Sequence, residues 1–206
     1  MRTSSLALFL VLAACQAPDP RRAPPPGLAG PGPVPADLDA QVAELAAASR
    51  PGAMHARLEP LVGEWTVRLC EVAEDQRETE WARGLARLEW AHGGRFLAWN
   101  AELARAGTTS GFLGYDLRNQ QYQLLMISSL SSGMGVAYGY GDVAGQGIRF
   151  TQEVVDPPSG RRMRMTSVLR LVSANHFVLD AEGVDDKGVN RVVRRTHYER
   201  AAAPKR

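Results

Sequence analysis

Two cysteines, Cys15 and Cys70, are all that the 206 residues contain, too few for the disulfide framework that staples small secreted domains. The four histidines, His55, His92, His176 and His197, show neither His-x-His nor His-Glu-x-x-His spacing, so no metal site is expected from them. There is no Gly-x-Ser-x-Gly elbow, and the serines of "SSLSSG" at 128–133 read as a polar loop, not as a hydrolase nucleophile. Nor is there a continuous basic run. The formal charge is +2, and the densest patches, "RRMRM" at 161–165 and "RVVRR" at 191–195, alternate with apolar residues at strand spacing; a nucleic-acid partner is not expected. The apolar run Leu6 to Ala14, "LALFLVLAA", falls well short of the roughly 20 residues that cross about 30 Å of hydrocarbon as a helix.

That short run still carries an address. It follows a single positive charge at Arg2 and ends in Leu12-Ala13-Ala14-Cys15, which resembles the bacterial lipobox. The resemblance implies a signal peptide over 1–14, cleaved before Cys15, and acylation of that cysteine. Gln16, in place of Asp, resembles the pattern of lipoproteins passed to the outer membrane. A diacylglycerol thioether plus an amide-linked chain exceeds the two-signal threshold for stable anchoring. The expected location is therefore the periplasmic face of the outer membrane, with membrane lipid as a partner through Cys15. Residues 15–35, "CQAPDPRRAPPPGLAGPGPVP", are rich in Pro, Gly and Ala without a hydrophobic period and read as an extended tether. With Cys15 committed to lipid, Cys70 has no intrachain partner, and stability rests on the core. About 170 residues remain, the size of one domain.

Residues 36–62 read as a helical segment. Leu38, Val42 and Leu45 lie at helical spacing in a helix over 37–49, and a shorter helix is expected over 54–61. From there the period switches to two. Strands are expected at 65–72, 79–91, 96–103, 111–115, 121–129, 133–140, 147–155, 162–172, 176–183 and 191–200, with turn residues between nearly every pair. Short connections and no crossover helices mean an antiparallel meander. About ten such strands close into a barrel or roll into a sandwich, because an open sheet so wide leaves costly edges. The barrel is assigned to 63–200 and a disordered tail to 201–206.

Strand 133–140 segregates by size: Met134, Val136, Tyr138 and Tyr140 on one face, Gly133, Gly135, Ala137 and Gly139 on the other. Strand 79–91 aligns Ala82, Gly84, Ala86, Leu88 and Trp90. Small residues leave space if they face inward and allow close outer packing if they face outward, and the sequence does not choose.

Gly63-x-Trp65 at the start of the first strand resembles the Gly-x-Trp signature of the lipocalin and calycin superfamily. In that fold the tryptophan closes the barrel floor under a basic side chain of the last strand; Arg200, Arg195 or Arg194 is the implied partner here. The wider pattern "PGAMHARLEPLVGEWTV", "LEWAHGGRFL", "GFLGYDLRNQQYQ" and "SSGMGVAYGYGD" resembles the bacterial domain of unknown function 1579. The matching positions include Pro51, Gly52, His55, Gly63, Trp65, Trp90, Gly93, Gly94, Arg95, Phe96, Gly114, Tyr115 and Asp116. The resemblance implies a lipocalin-like up-and-down barrel behind one or two short helices, and no established activity. Heme-binding relatives of this barrel class carry further glycines after the signature; "GEWTVRL" lacks them, so no cofactor is expected.

Catalytic residues are not assigned. His55 reads as bonded to backbone at the helix-to-strand junction, and acid–base chemistry would need convergence among Glu89, Glu102, Glu153, Asp180 and Glu182 inside a cavity. The expected function is binding of a small, mainly apolar ligand at the barrel mouth, walled by Trp90, Trp99, Met126, Met134, Tyr138, Tyr140 and Phe150, with Arg95 as the polar anchor. Gly63, Trp65 and Arg200 are expected to close the floor. Two other readings stand beside it: a packed barrel serving as an envelope protein-interaction module, and a lipocalin-like enzyme acting on a small or lipidic substrate.

Overall fold

The computed structural model describes residues 37–155, 160, 162–184 and 189–201; the expected signal peptide, Cys15 and the expected tether lie outside them, as do residues 202–206 of the expected tail. The chain divides into two units, one ending at Arg50 and one comprising the barrel and its approach from Pro51 onward. In the first unit, helix α1 (Leu38–Ala48) has its N-terminal Asp37 in place and no buried residue.

In the second unit, the short helix expected over 54–61 is split. Helix α2 (Ala53–Ala56) gives way to a 3-10 turn (Glu59–Leu61), because Pro60 has no N–H to continue an α-helical ladder. Ten strands follow: β1 (Gly63–Val72), β2 (Glu78–Ala91), β3 (Phe96–Leu103), β4 (Gly107–Asp116), β5 (Gln121–Ser128), β6 (Met134–Asp142), β7 (Gly147–Val155), β8 (Arg162–Ser173), β9 (His176–Val184) and β10 (Asn190–Arg200). Each pairs antiparallel with its sequence neighbour, and β1 pairs with β10, from Trp65 opposite Arg200 to Glu71 opposite Arg194. The sheet is a closed barrel, which removes the edges that an open meander would expose. Strand β4 starts four residues before the expected position. Its leading Thr108, Thr109 and Ser110 lack hydrophobic alternation, but pairing with β3 recruits them.

The floor is built by the segment before β1. Leu58 and Leu61 are fully buried beneath Trp65. The Trp65 indole N–H donates to the Leu61 carbonyl at 2.9 Å, and the Arg200 guanidinium lies 4.3 Å over its ring. Arg200 also donates to the carbonyls of Val62 (3.0 Å) and Pro60 (3.1 Å), tying β10 to the turn. Gly63 has φ of 139°, and a Cβ there would lie 2.5 Å from Arg200 Nη1; conformation and space both require glycine. Above this floor Trp65, Phe177, Tyr198 and Trp99 form a chain of ring contacts, the Phe177–Tyr198 pair stacked at 4.3 Å.

Candidate functional site

Trp99 and Tyr198 end the packed core, and beyond them the barrel is hollow. A cavity of about 240 Å³ opens among Leu69, Ala101, Leu103, Leu124, Met126, Gly135, Ala137, Met165, Ala181 and Arg194. The small face along β6 produces the space, since Gly133, just before the strand, and Gly135 and Ala137 on it line the cavity that larger side chains would fill. The turns after β3 and β5 bring Ala106, Ser128 and Gly133 to its rim.

Two irregularities shape the polar part of the lining. Between β1 and β2 the register slips, leaving Trp81 as an extra residue on β2; between β9 and β10 it slips at Val193. Bulges of this kind re-aim side chains, and next to these two Trp81 and Arg194 reach the cavity. Three donor groups on its wall are buried without an acceptor: Trp81 Nε1, Trp99 Nε1 and Arg194 Nε. The Trp99 N–H faces the Tyr198 hydroxyl without completing a hydrogen bond. Among the described residues Arg194 has no carboxylate at salt-bridge distance. Burial pulls its guanidinium below its ordinary basicity, and the field of Glu71, opposite it on β1, offsets this only in part. Burial likewise pushes the Tyr198 phenol well up, so it is a neutral hydroxyl here.

The expected wall changes accordingly. Trp99 and Met126 line the cavity. Phe150 is fully buried in the core and is not part of that lining. Met134, Tyr138 and Tyr140 point outward, 62%, 48% and 63% exposed, and line an open groove on the outer face of β6 and β7. The size segregation of β6 is thus resolved with its small face inward, because only that choice lets β6 pass beside Phe150: a Cβ on Gly139 would meet the Phe150 ring at 2.6 Å. Trp90 stays at the floor end, donating to Glu59 at 2.6 Å. Arg95 donates to the His92 carbonyl in its own turn, 3.0 Å away, and does not reach the cavity. The interior arginine is Arg194, missed because Arg95 follows a glycine pair. The signal for it was present: counting back from Arg200 in steps of two along β10 gives Tyr198, Thr196 and Arg194, all inward.

None of Glu89, Glu102, Glu153, Asp180 and Glu182 lines the cavity. Glu89 pairs with Arg87, Glu153 with Arg162, Asp180 with Arg195 and Glu182 with Arg149, all on the outer face of the barrel, where Asp180 is itself buried. His55 is buried at the floor, its Nδ1 accepting the Gly52 N–H at 3.2 Å and its ring edge-on to Tyr115.

A solved structure described as "Crystal Structure of Rv2717c from M. tuberculosis" shares this fold, with 15% identity and a TM-score of 0.50 over 73% of this chain and 99% of that one. No curated protein matches the chain. Residues 50–200, from the approach to the floor through the last barrel strand, match the family described as "Protein of unknown function (DUF1579)", and the chain belongs to that family.

Proposed function

We propose that the protein is a lipid-anchored periplasmic binding protein whose barrel holds a small, mainly apolar ligand ending in an anionic head group. One observation carries the reading: three buried donors without acceptors, Trp81 Nε1, Trp99 Nε1 and Arg194 Nε, share one largely hydrocarbon cavity. An unpaired buried donor costs about 1–3 kcal/mol, and a charged one more. A carboxylate against Arg194 satisfies the costliest of them, while an alkyl or aryl body covers the Leu, Ala and Met wall. The volume of about 240 Å³ sits just below the common range of about 300–1,000 Å³ for ligand pockets, which selects small ligands. Anchoring rests on the lipobox-like Leu12-Ala13-Ala14-Cys15.

The test compares octanoate with octanol by calorimetric titration, after native mass spectrometry of the protein purified from periplasm has shown whether it carries a ligand already. Octanoate is expected to bind roughly tenfold to a hundredfold more tightly than the alcohol, the worth of one charge-assisted hydrogen bond. Arg194→Met is expected to erase that preference. Equal affinities in the unaltered protein, or a preference that survives Arg194→Met, would sink the reading.

The outer groove favours a second reading. Met134, Val136, Tyr138 and Tyr140 form an exposed apolar and aromatic stripe on β6, the kind of surface a protein-interaction module presents. Tyr138→Ala with Tyr140→Ala would abolish capture of an envelope partner under that reading and leave octanoate binding intact. The enzyme reading has no comparable observation behind it: among the described residues, Arg194 is the one charged side chain on the cavity wall.

A further inference from the structure

On the outer face of the barrel, three adjacent strands bring a thiol, an imidazole and a carboxylate together. Cys70 on β1 is opposite Arg195 on β10; since Leu69 faces the cavity, Cys70 faces out. His197 lies two residues along β10 on the same face, and Glu78 opens β2. The sulfur, a ring nitrogen and a carboxylate oxygen of the three all lie within 4.8 Å of one another. Cys70 is 1% exposed and His197 8%, while Glu78 opens the cluster to solvent.

The geometry points to a binding site for a zinc-class divalent cation made by Cys70 Sγ, His197 Nε2 and Glu78 Oε2, with water as the fourth ligand. Tetrahedral zinc with one sulfur, one nitrogen and one oxygen ligand places those atoms about 3.4–3.6 Å apart, a rearrangement reachable by side-chain rotation from the present spacing. His197 Nε2 and Glu78 Oε2 now share a hydrogen bond of 2.7 Å, and the cation would replace the proton between them. The other carboxylate oxygen, Oε1, is already held by Arg195 Nη1 at 2.9 Å. Arg195 in turn is matched by Asp180, through Nε at 2.5 Å and Nη2 at 3.2 Å, so its charge is compensated next to the site.

The surroundings also supply the outer support that ligating histidines require. His197 Nδ1 lies 3.1 Å from His176 Nε2, with the rings stacked. With a cation on Nε2, the ring proton of neutral His197 sits on Nδ1, facing His176 Nε2. On coordination the S–H bond breaks, its proton passes to solvent, and the thiolate binds the cation with no change of oxidation state. The site is independent of the interior cavity and of what occupies it. Histidine spacing along the chain does not show it, because its ligands come from three strands.

The experiment titrates cobalt(II), a spectroscopic stand-in for zinc, into the reduced full chain. One equivalent is expected to produce a thiolate-to-cobalt charge-transfer band that zinc abolishes by displacement. Cys70→Ser is expected to remove the band, and Glu78→Gln, which keeps the shape of the side chain, to weaken cobalt binding at least tenfold. No band, or a band that persists in Cys70→Ser, would overturn the proposal. Should Cys70→Ser fail to fold, an unchanged affinity in Glu78→Gln would overturn it equally.

Discussion

His55 is folded in its neutral form. Its Nδ1 accepts a backbone N–H, and burial lowers its basicity below the ordinary 6.5, with Arg95 adding to the effect against the pull of the Tyr115 carbonyl. His176 is lowered as well. A group whose folded pKa lies below its unfolded value takes up its proton first in the unfolded chain, so stability is full above 6.5 and falls as the pH drops below it. The urea midpoint should therefore decline between pH 7 and pH 5, and His55→Gln, whose amide oxygen can accept the same N–H, should flatten that decline. An unchanged slope in the variant would mean that His55 does not carry it. Arg194 makes the opposite kind of statement. It is half-buried, and among the described residues its Nε has no acceptor; replacing such a group by a hydrocarbon chain of similar length is expected to stabilise the ligand-free barrel by roughly 1–3 kcal/mol. Arg194→Met should thus raise the urea midpoint while lowering affinity for octanoate, a pairing that simple loss of packing does not produce. At this scale the sequence was least legible. Arg95 and Arg194 look alike as letters, and what separates them is that one closes its own turn while the other follows a bulge into the interior.

Elements were far more legible than side-chain directions. Nine of the ten strand starts fall within two residues of the positions the alternation and turns indicate, and β4 departs because its polar first half is recruited by pairing alone. The same alternation gave the two faces of β6 correctly and could not say which was inside, since period two is symmetric until a neighbour breaks the tie. Here the neighbour is Phe150, against which only glycine fits. The consequence is testable on the strand itself. Ala137 is buried and lines the cavity opposite Leu124. Ala137→Leu adds three carbons where space already exists, so it should cost less than the roughly 1–3 kcal/mol of ordinary overpacking. It should also reduce octanoate binding at least tenfold by occupying the volume. A variant that is strongly destabilised would show that the cavity wall has no room; one that binds normally would show that the ligand lies elsewhere.

For the whole molecule, closure does most of the organising. Pairing β1 with β10 brings Trp65 under Arg200 at one end and Glu71 opposite Arg194 toward the other, so one ladder sets both the sealed floor and the polar lining of the cavity. The turn-rich meander made a closed or rolled sheet legible; the choice of barrel rests on this single long-range pairing, which no local pattern contains. The floor is also where the approach from Pro51 joins the barrel, and the proposed anchor at Cys15 lies well before it in the sequence. Anchor and barrel should therefore be separable in function. Replacing Cys15 by alanine removes the sulfur that acylation needs and leaves the barrel sequence unchanged. The variant is expected to leave the membrane fraction for the soluble fraction on cell fractionation, and to bind octanoate with the affinity of the unaltered protein. Retention in the membrane would mean that something other than an acyl chain holds the protein there. Lost affinity would mean that the membrane takes part in the binding.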